Sequence, residues 1–185
     1  MTDAYVAEVC ENEGTERRCN MTTLTAEQRA RNLLQNYPDM FPIDPFQIAR
    51  DLGIEIRYLS NPGHNVSGTI SRENANSPVI VGVNSNDAIT RQRFTIAHEL
   101  GHYTKLKEEG KIDSRLGFVE YRNELSSQGN DPVEIDANQF AAELLMPEHW
   151  IRHWHESGIG FKVIQKTLNV SEIALKNRFE TLGLV

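Results

Sequence analysis

The chain has 185 residues, enough for one domain with a real core, and its 39% apolar and 24% charged residues are those of a globular protein that folds in water. A net charge of -7 argues against a broad nucleic-acid-binding face, which needs clustered lysines and arginines, and leaves room only for a local basic patch. No stretch approaches the roughly 18 apolar residues of a membrane span, so no membrane partner is expected.

The two cysteines, Cys10 and Cys19, are too few and too confined for a disulfide framework and are expected as free thiols. The N-terminus is acidic and has no apolar h-region, so the expected location is the cytoplasm. Residues 1–22 are polar and are expected to form a loose tail, with 23–185 as a single domain. Met21, just before the first helix signal, is a candidate alternative start.

Thr25 and Gln28 have capping-box spacing and predict a helix from there to about Tyr37, with Ala30, Leu33 and Leu34 inward and Pro38 as its stop. Asp44 before Pro45 is a second start signal, for a short helix over 46–52 that Gly53 ends. Residues 54–59 alternate apolar and polar and predict a strand. Turns at 61–63 and 74–78 frame a second strand over 66–70. A third, over 79–83, is apolar enough to be buried on both faces. The short connections favour an antiparallel sheet.

A long helix is predicted over 88–108, with Asp87 or Thr90 near its start and Gly110 after its end. Residues 111–130 lack a steady period and contain Gly117, Ser126, Ser127 and Gly129, which predicts a long loop. Asp131, Pro132 and Glu134 then mark a helix whose apolar stripe runs through Ile135, Ala137, Phe140, Ala141, Leu144 and Leu145 to Pro147. Two or three more helices follow, over 149–156, 161–168 and 171–182, the last capped by Ser171. The expected class is α+β, a small antiparallel sheet packed on a helical core with further C-terminal helices.

The chemistry centres on His98-Glu99-Leu-Gly-His102 inside the long helix. Residues i and i+4 of a helix share a face, so the two imidazoles can meet one metal ion. Glu99 lies beside them, placed to accept a proton from the water that such an ion activates. Zinc suits this set: it takes nitrogen and carboxylate ligands, keeps an open position in catalytic sites and lowers the pKa of water from about 15.7 to about 7. Other divalent ions tolerate the same ligands. Phe94, Ile96, Ala97, Leu100 and Gly101 surround the motif with apolar residues, and two histidines and a glutamate on a buried helix need a partner. The bland alternative is histidines satisfied in the core or exposed to solvent.

A catalytic zinc site takes three protein ligands. Glu134, Asp136, Glu143, His149, His153 and His155 are all candidates for the third, and spacing alone does not choose among them. Glu134 also has a purely structural explanation, as the third residue of a helix cap.

Two blocks, Arg93-Phe-Thr-Ile-Ala-His-Glu-Leu-Gly-His102 and Glu134-x-x-Ala137-Asn-x-Phe140-Ala-x-x-Leu144-Leu-Met-Pro147, resemble the ImmA/IrrE family of zinc metallopeptidases. Val66-Ser-Gly68 and the closing Val170-Ser-x-x-Ala174-Leu-x-x-Arg178-Phe-x-x-Leu182-Gly are similar to the family too, so the likeness runs from about Thr22 to Val185. It implies a zincin-like core with one zinc per chain held by His98, His102 and Glu134, and Glu99 as general base. It further implies a site-specific endopeptidase whose partner is a helix-turn-helix repressor, cut to induce a mobile element or stress response. The connection from Tyr103 to Asn130 is longer than in many members.

Substrate is expected to lie extended along an exposed sheet edge near 66–70, with Val66, Ser67, Gly68 and Tyr103 as candidate contacts. Tyr103, Tyr121, His149, His153 and His155 are candidates for a second donor to the oxyanion. The competing functions are DNA binding and metal sensing without proteolysis. Residues 161–182 have a helix-turn-helix outline carrying Lys176, Asn177 and Arg178, but Glu172, Glu180 and the acidic chain weigh against direct nucleic-acid binding. A structural zinc site would favour cysteines, and none lies near the motif.

Overall fold

Thr25 opens the first helix as its spacing predicts: its hydroxyl accepts from the Gln28 backbone, and the Gln28 side chain accepts from the Thr25 N–H. The computed structural model describes residues 23–60, 66–74, 76–112, 119–123 and 131–184; the predicted tail, both cysteines and Met21 lie outside these. Helix α1 (Ala26–Leu34) stops three residues short of Tyr37. The amides of Asn36 and Tyr37 bond to Leu33 and Leu34 three residues back, a tightened exit ahead of Pro38, which disfavours helical backbone in its predecessor. Helix α2 (Pro45–Asp51) has the expected Asp44 cap and leaves through Gly53 at φ +73°, a conformation glycine adopts without steric cost.

Three predicted strands form, β1 (Glu55–Leu59), β2 (Val66–Ser71) and β3 (Ile80–Asn84), and a fourth, β4 (Val119–Asn123), lies within the segment expected to be a loop. The sheet order is β1-β3-β2-β4. Strands β2 and β3 are antiparallel, as are β2 and β4, but β1 runs parallel to β3. The sheet is therefore mixed, not antiparallel throughout: β3 pairs with its predecessor β2 as expected, but it also separates β2 from β1 and takes β1 as a parallel neighbour. Its apolar run explains the choice, since Val81, Gly82 and Val83 are buried and belong in a central strand. The α+β class stands.

Helix α3 (Ile89–Glu108) carries the metal motif, and its N-cap falls on Ala88, between the two expected capping residues, without a side-chain cap. Nearly every residue from Arg93 to Tyr103 is buried, which explains why apolar residues surround the histidines on all sides. It packs against β2 and β3 on one side and α4 (Pro132–Leu145) on another, with α2 and α1 also in contact. Three helices close the chain: α5 (Glu148–Glu156), α6 (Phe161–Leu168) and α7 (Glu172–Thr181), with Ser171 capping the last. One hydrophobic cluster runs through these elements, from Ile48, Ile70 and Val81 through Ile96, Leu100 and Phe140 to Ile164, Leu168 and Leu175. Each such side chain contributes about 1.5–3 kcal/mol on burial. That core fixes α3 and α4 in place and with them the site.

Candidate metal centre

His98 and His102 sit one turn apart on α3 and are both buried. Their Nε2 atoms converge to 2.9 Å. His98 directs its other nitrogen, Nδ1, to Asn138 Oδ1 at 3.0 Å. Because that oxygen accepts, Nδ1 carries the proton and Nε2 presents its lone pair toward His102.

Helix α4 supplies the third group. Asp131 caps it by accepting from the Val133 amide, and Pro132 fills the first helical position, where no N–H is needed. Glu134 therefore stands in the first turn, where the helix dipole favours a carboxylate. From Glu134, helical spacing puts Ala137, Asn138 and Ala141 on the same face, turned to α3. A Cβ added to Gly101 would lie 3.1 Å from the Ala137 Cα and 3.2 Å from the Phe140 Cβ. The missing side chain at Gly101 is what lets the two helices approach this closely.

Glu134 Oε2 lies 3.3 Å from His98 Nε2, and Oε1 lies 3.4 Å from His102 Nε2. A tetrahedral ion with ligand bonds of about 2.0–2.1 Å separates its ligand atoms by about 3.3 Å. The three observed separations of 2.9, 3.3 and 3.4 Å bracket that figure. Among the described residues, these three form the group of metal-ligating side chains able to share one ion. The imidazoles, His102 foremost and then His98, hold the Glu134 carboxyl well below the usual carboxylate range, against the opposing effect of burial. The Glu134 side chain keeps 17% exposure while His98 has none, so the site is reached from the Glu134 side.

Glu99 is buried at 2% exposure and faces the sheet. A Cβ on Gly68 would fall 2.3 Å from Thr95 Cγ2 and 3.1 Å from Glu99 Oε1. Strand β2 thus runs directly against the Glu99 carboxylate, and only glycine fits at that crossing. Of the predicted substrate contacts, Gly68 is brought to the site, and Val66 and Ser67 belong to the same strand. The exposed edge expected there is not: β2 is flanked by β3 on one side and β4 on the other. Tyr103 is buried in the core and lines a cleft of about 210 Å³ with Leu52, Ile54, Arg72, Val79 and Ile112, a set without the two histidines or Glu134.

The other candidate ligands are engaged elsewhere. Asp136 pairs with Arg29 and with Lys105 at 3.4 Å. Glu143 is fully buried between Arg31, at 2.8 Å, and Arg178. His149, His153 and His155 are exposed on α5, where His149 meets Trp150 and His155 meets Phe179 edge-on. Tyr121, the remaining oxyanion candidate, lies in β4 opposite Thr69.

Two arginines of the sequence blocks, given no role there in holding the site, complete the arrangement. Arg93 donates to the carbonyls of Ile43 at 2.6 Å, Asn169 at 3.1 Å and Leu168 at 3.4 Å. It clamps α3 to the negative end of α6, and burial lowers its pKa. Arg178 donates to the Met146 carbonyl at 3.1 Å as well as pairing with Glu143. Of the residues that made α7 resemble a recognition helix, Arg178 is therefore turned into the protein, while Lys176 and Asn177 stay exposed and Lys176 lies 3.8 Å from Glu180. No helix among the described residues is long and apolar enough to cross a membrane.

Comparisons with known proteins agree with this geometry. A match to "Uncharacterized immunity region protein 2" of Bacillus phage phi105 is 27% identical over 108 residues, covering 58% of this chain and 61% of that protein. "Metallopeptidase ImmA" of Bacillus subtilis (strain 168) is 30% identical over 94 residues, 51% of this chain and 50% of the relative. The matches thus span half to three-fifths of these relatives' lengths. A solved structure titled "Mycobacterium tuberculosis transcriptional regulator" superposes with a TM-score of 0.57 over 84% of this chain and 46% of that one; at 14% identity it shows a shared fold. The Peptidase_M78 family model, described as the IrrE N-terminal-like domain, matches residues 49–180, which takes in α3, the sheet and α4. With both metal-motif helices inside that match, the chain belongs to the IrrE N-terminal-like family, the ImmA/IrrE group of metallopeptidases.

Proposed function

We propose that this chain is a zinc-dependent endopeptidase, with residues 23–185 as its catalytic domain, acting in the cytoplasm on a helix-turn-helix transcriptional repressor. The observation that carries the reading is the meeting of two buried imidazole Nε2 atoms and the Glu134 carboxylate at ligand spacing, with Glu99 buried on the same helix. The immunity-region name of the phage relative and the metallopeptidase name of the Bacillus subtilis relative support the substrate class, cleavage of which would induce a mobile element or stress response.

In this reading His98, His102 and Glu134 hold one zinc ion. When bound, zinc supplies Lewis-acid polarisation of the scissile carbonyl and makes water acidic enough to ionise near neutral pH. Glu99 takes the proton of the attacking water and delivers it to the departing amide nitrogen, so the peptide bond breaks as the new carbon–oxygen bond forms. Asn138 keeps the His98 ring in the tautomer that offers Nε2.

The test compares new protein N-termini in cells making the wild type or Glu99→Gln, under an inducing stress. One cut in a helix-turn-helix repressor, present with the wild type and absent with Glu99→Gln, is the expected result. If both proteins cut alike, the peptidase assignment fails; no cut by either while zinc stays bound favours a latent or non-proteolytic role.

A further inference from the structure

Strand β2 is the part of the sheet that adjoins Glu99, because Gly68 lies against the carboxylate. In an enzyme that binds substrate by strand addition, the open side of such a strand is where an extended peptide would align. Here that side is filled by the chain itself. Strand β4 runs antiparallel along β2 with Gly68 opposite Arg122, Thr69 opposite Tyr121, Ile70 opposite Glu120 and Ser71 opposite Val119. It comes from the connection between α3 and α4, the two helices that carry the candidate ligands.

Two observations mark the pairing as one that can be released. Among the described elements, β2 is the one with which β4 makes its main contact. That ladder also slips between Val66 and Gly68, leaving Ser67 without a paired position next to Gly68, the residue that lies against Glu99. The composition fits the same role. Glu120 and Arg122 occupy one alternating set, a pattern suited to an edge strand and not to a permanent core strand.

We infer that β4 is an internal stand-in for the substrate strand: it occupies the edge of β2 beside Glu99 and must leave before an extended polypeptide can pair there. This rests on the peptidase reading above. It makes the enzyme latent by construction, and it makes the activating event one that removes β4 from β2. A strand tethered in the same chain competes at an effective concentration on the order of millimolar, so it excludes a free peptide present at micromolar concentration.

The experiment uses the full chain and a synthetic fluorescein-labelled peptide carrying residues 117–125, read by anisotropy. In Glu120→Pro/Tyr121→Pro two successive amides are lost, and since successive amides point to opposite sides of a strand, one of them faces β2. The variant should bind the peptide at least about tenfold more tightly than the wild type does, consistent with removal of a tethered competitor. Hydrogen exchange should show that the amides of 68–71 that face β4 lose protection in the variant and regain it with peptide, while those that face β3 and α3 stay protected as in the wild type. A peptide with the same two prolines should not bind. If α3 loses protection, a second variant with 119–123 replaced by alternating glycine and serine takes its place. Equal binding to wild type and variant would locate the peptide elsewhere and overturn the inference. So would retained protection of the β4-facing amides of 68–71 after the substitutions, or their lost protection with no peptide binding. Cleavage, with added zinc, of the repressor found by the N-terminus comparison separates the two readings. Peptide binding by the variant without Glu99-dependent cleavage keeps the strand inference and sinks the peptidase; cleavage by variant and wild type alike, without peptide binding, does the reverse.

Discussion

His98 Nδ1 meets Asn138 Oδ1 at 3.0 Å across the contact between α3 and α4. This one hydrogen bond links the helix that bears both histidines to the helix that bears Glu134. It does so through the outer nitrogen, leaving the inner one for a metal. The acceptor is a neutral carboxamide, so it orients the ring without adding a negative charge to the site.

Replacing Asn138 with leucine should lower zinc affinity by about 10- to 100-fold, the usual cost of removing such an outer partner. Asn138→Asp, which keeps an acceptor at the same place, should retain most of the affinity. Titration against a fluorescent chelator measures both. Zinc held by the leucine variant as tightly as by the wild type would mean that the bond does not position His98.

Gly101 sets how far apart those helices stand. A valine there has no room beside Ala137 and Phe140, and overpacking of this kind costs about 1–3 kcal/mol. Because the displaced helix carries Glu134, the prediction is a paired loss: Gly101→Val should lower both melting temperature and zinc affinity. An alanine at the same position requires only a few tenths of an ångström of adjustment and should show a smaller effect of the same sign. If Gly101→Val lost stability but held zinc normally, the helix spacing would not govern the site.

These two residues also show what was legible beforehand. The metal motif, the caps of α1, α2, α4 and α7 and the stripe on α4 follow from local spacing; those caps form as expected and so does the stripe apart from Ile135, which is exposed, whereas the cap of α3 falls on Ala88. Asn138 and Gly101 are part of the same sequence blocks, yet their tasks exist only between helices, where no single-helix pattern describes them. The sheet makes the same point. Short connections suggested consecutive antiparallel neighbours, but β3 pairs with both β1 and β2, and its apolar run was the available sign of a central position. Strand β4, with its sequence Val-Glu-Tyr-Arg-Asn, has little intrinsic signal, because its partner lies some fifty residues away in the chain.

Metal binding should be visible as stability. An ion that binds the folded chain at 100 times its dissociation constant adds about 2.7 kcal/mol. For a chain of this size that raises the melting temperature by about 5–10 °C. Added zinc should therefore shift the wild type upward after chelation, and Glu99→Gln by a similar amount. His98→Ala and Glu134→Ala should show little shift. A full shift in Glu134→Ala would remove Glu134 from the ligand set and return the search for the third ligand to the beginning.

Glu143 gives the opposite kind of prediction, stability without metal. Its carboxylate and the Arg178 guanidinium are both almost wholly buried, and Arg31 reaches in from α1 at 2.8 Å. The group thereby ties α1, α4 and α7 together. Glu143→Ala leaves the Arg178 charge buried with only the Met146 carbonyl named beside it, and loss of one partner of a buried pair costs about 3–5 kcal/mol. Replacing both residues with apolar ones of similar volume, as in Glu143→Leu/Arg178→Met, should recover most of that loss, because neither charge then has to be desolvated. Denaturant melts of the single and double variants measure the difference, with zinc titration alongside. Loss of zinc in a folded double variant would return Glu143 to the metal site; normal zinc binding with restored stability would fix its role as the buried tie between the closing helices and the helix that carries Glu134.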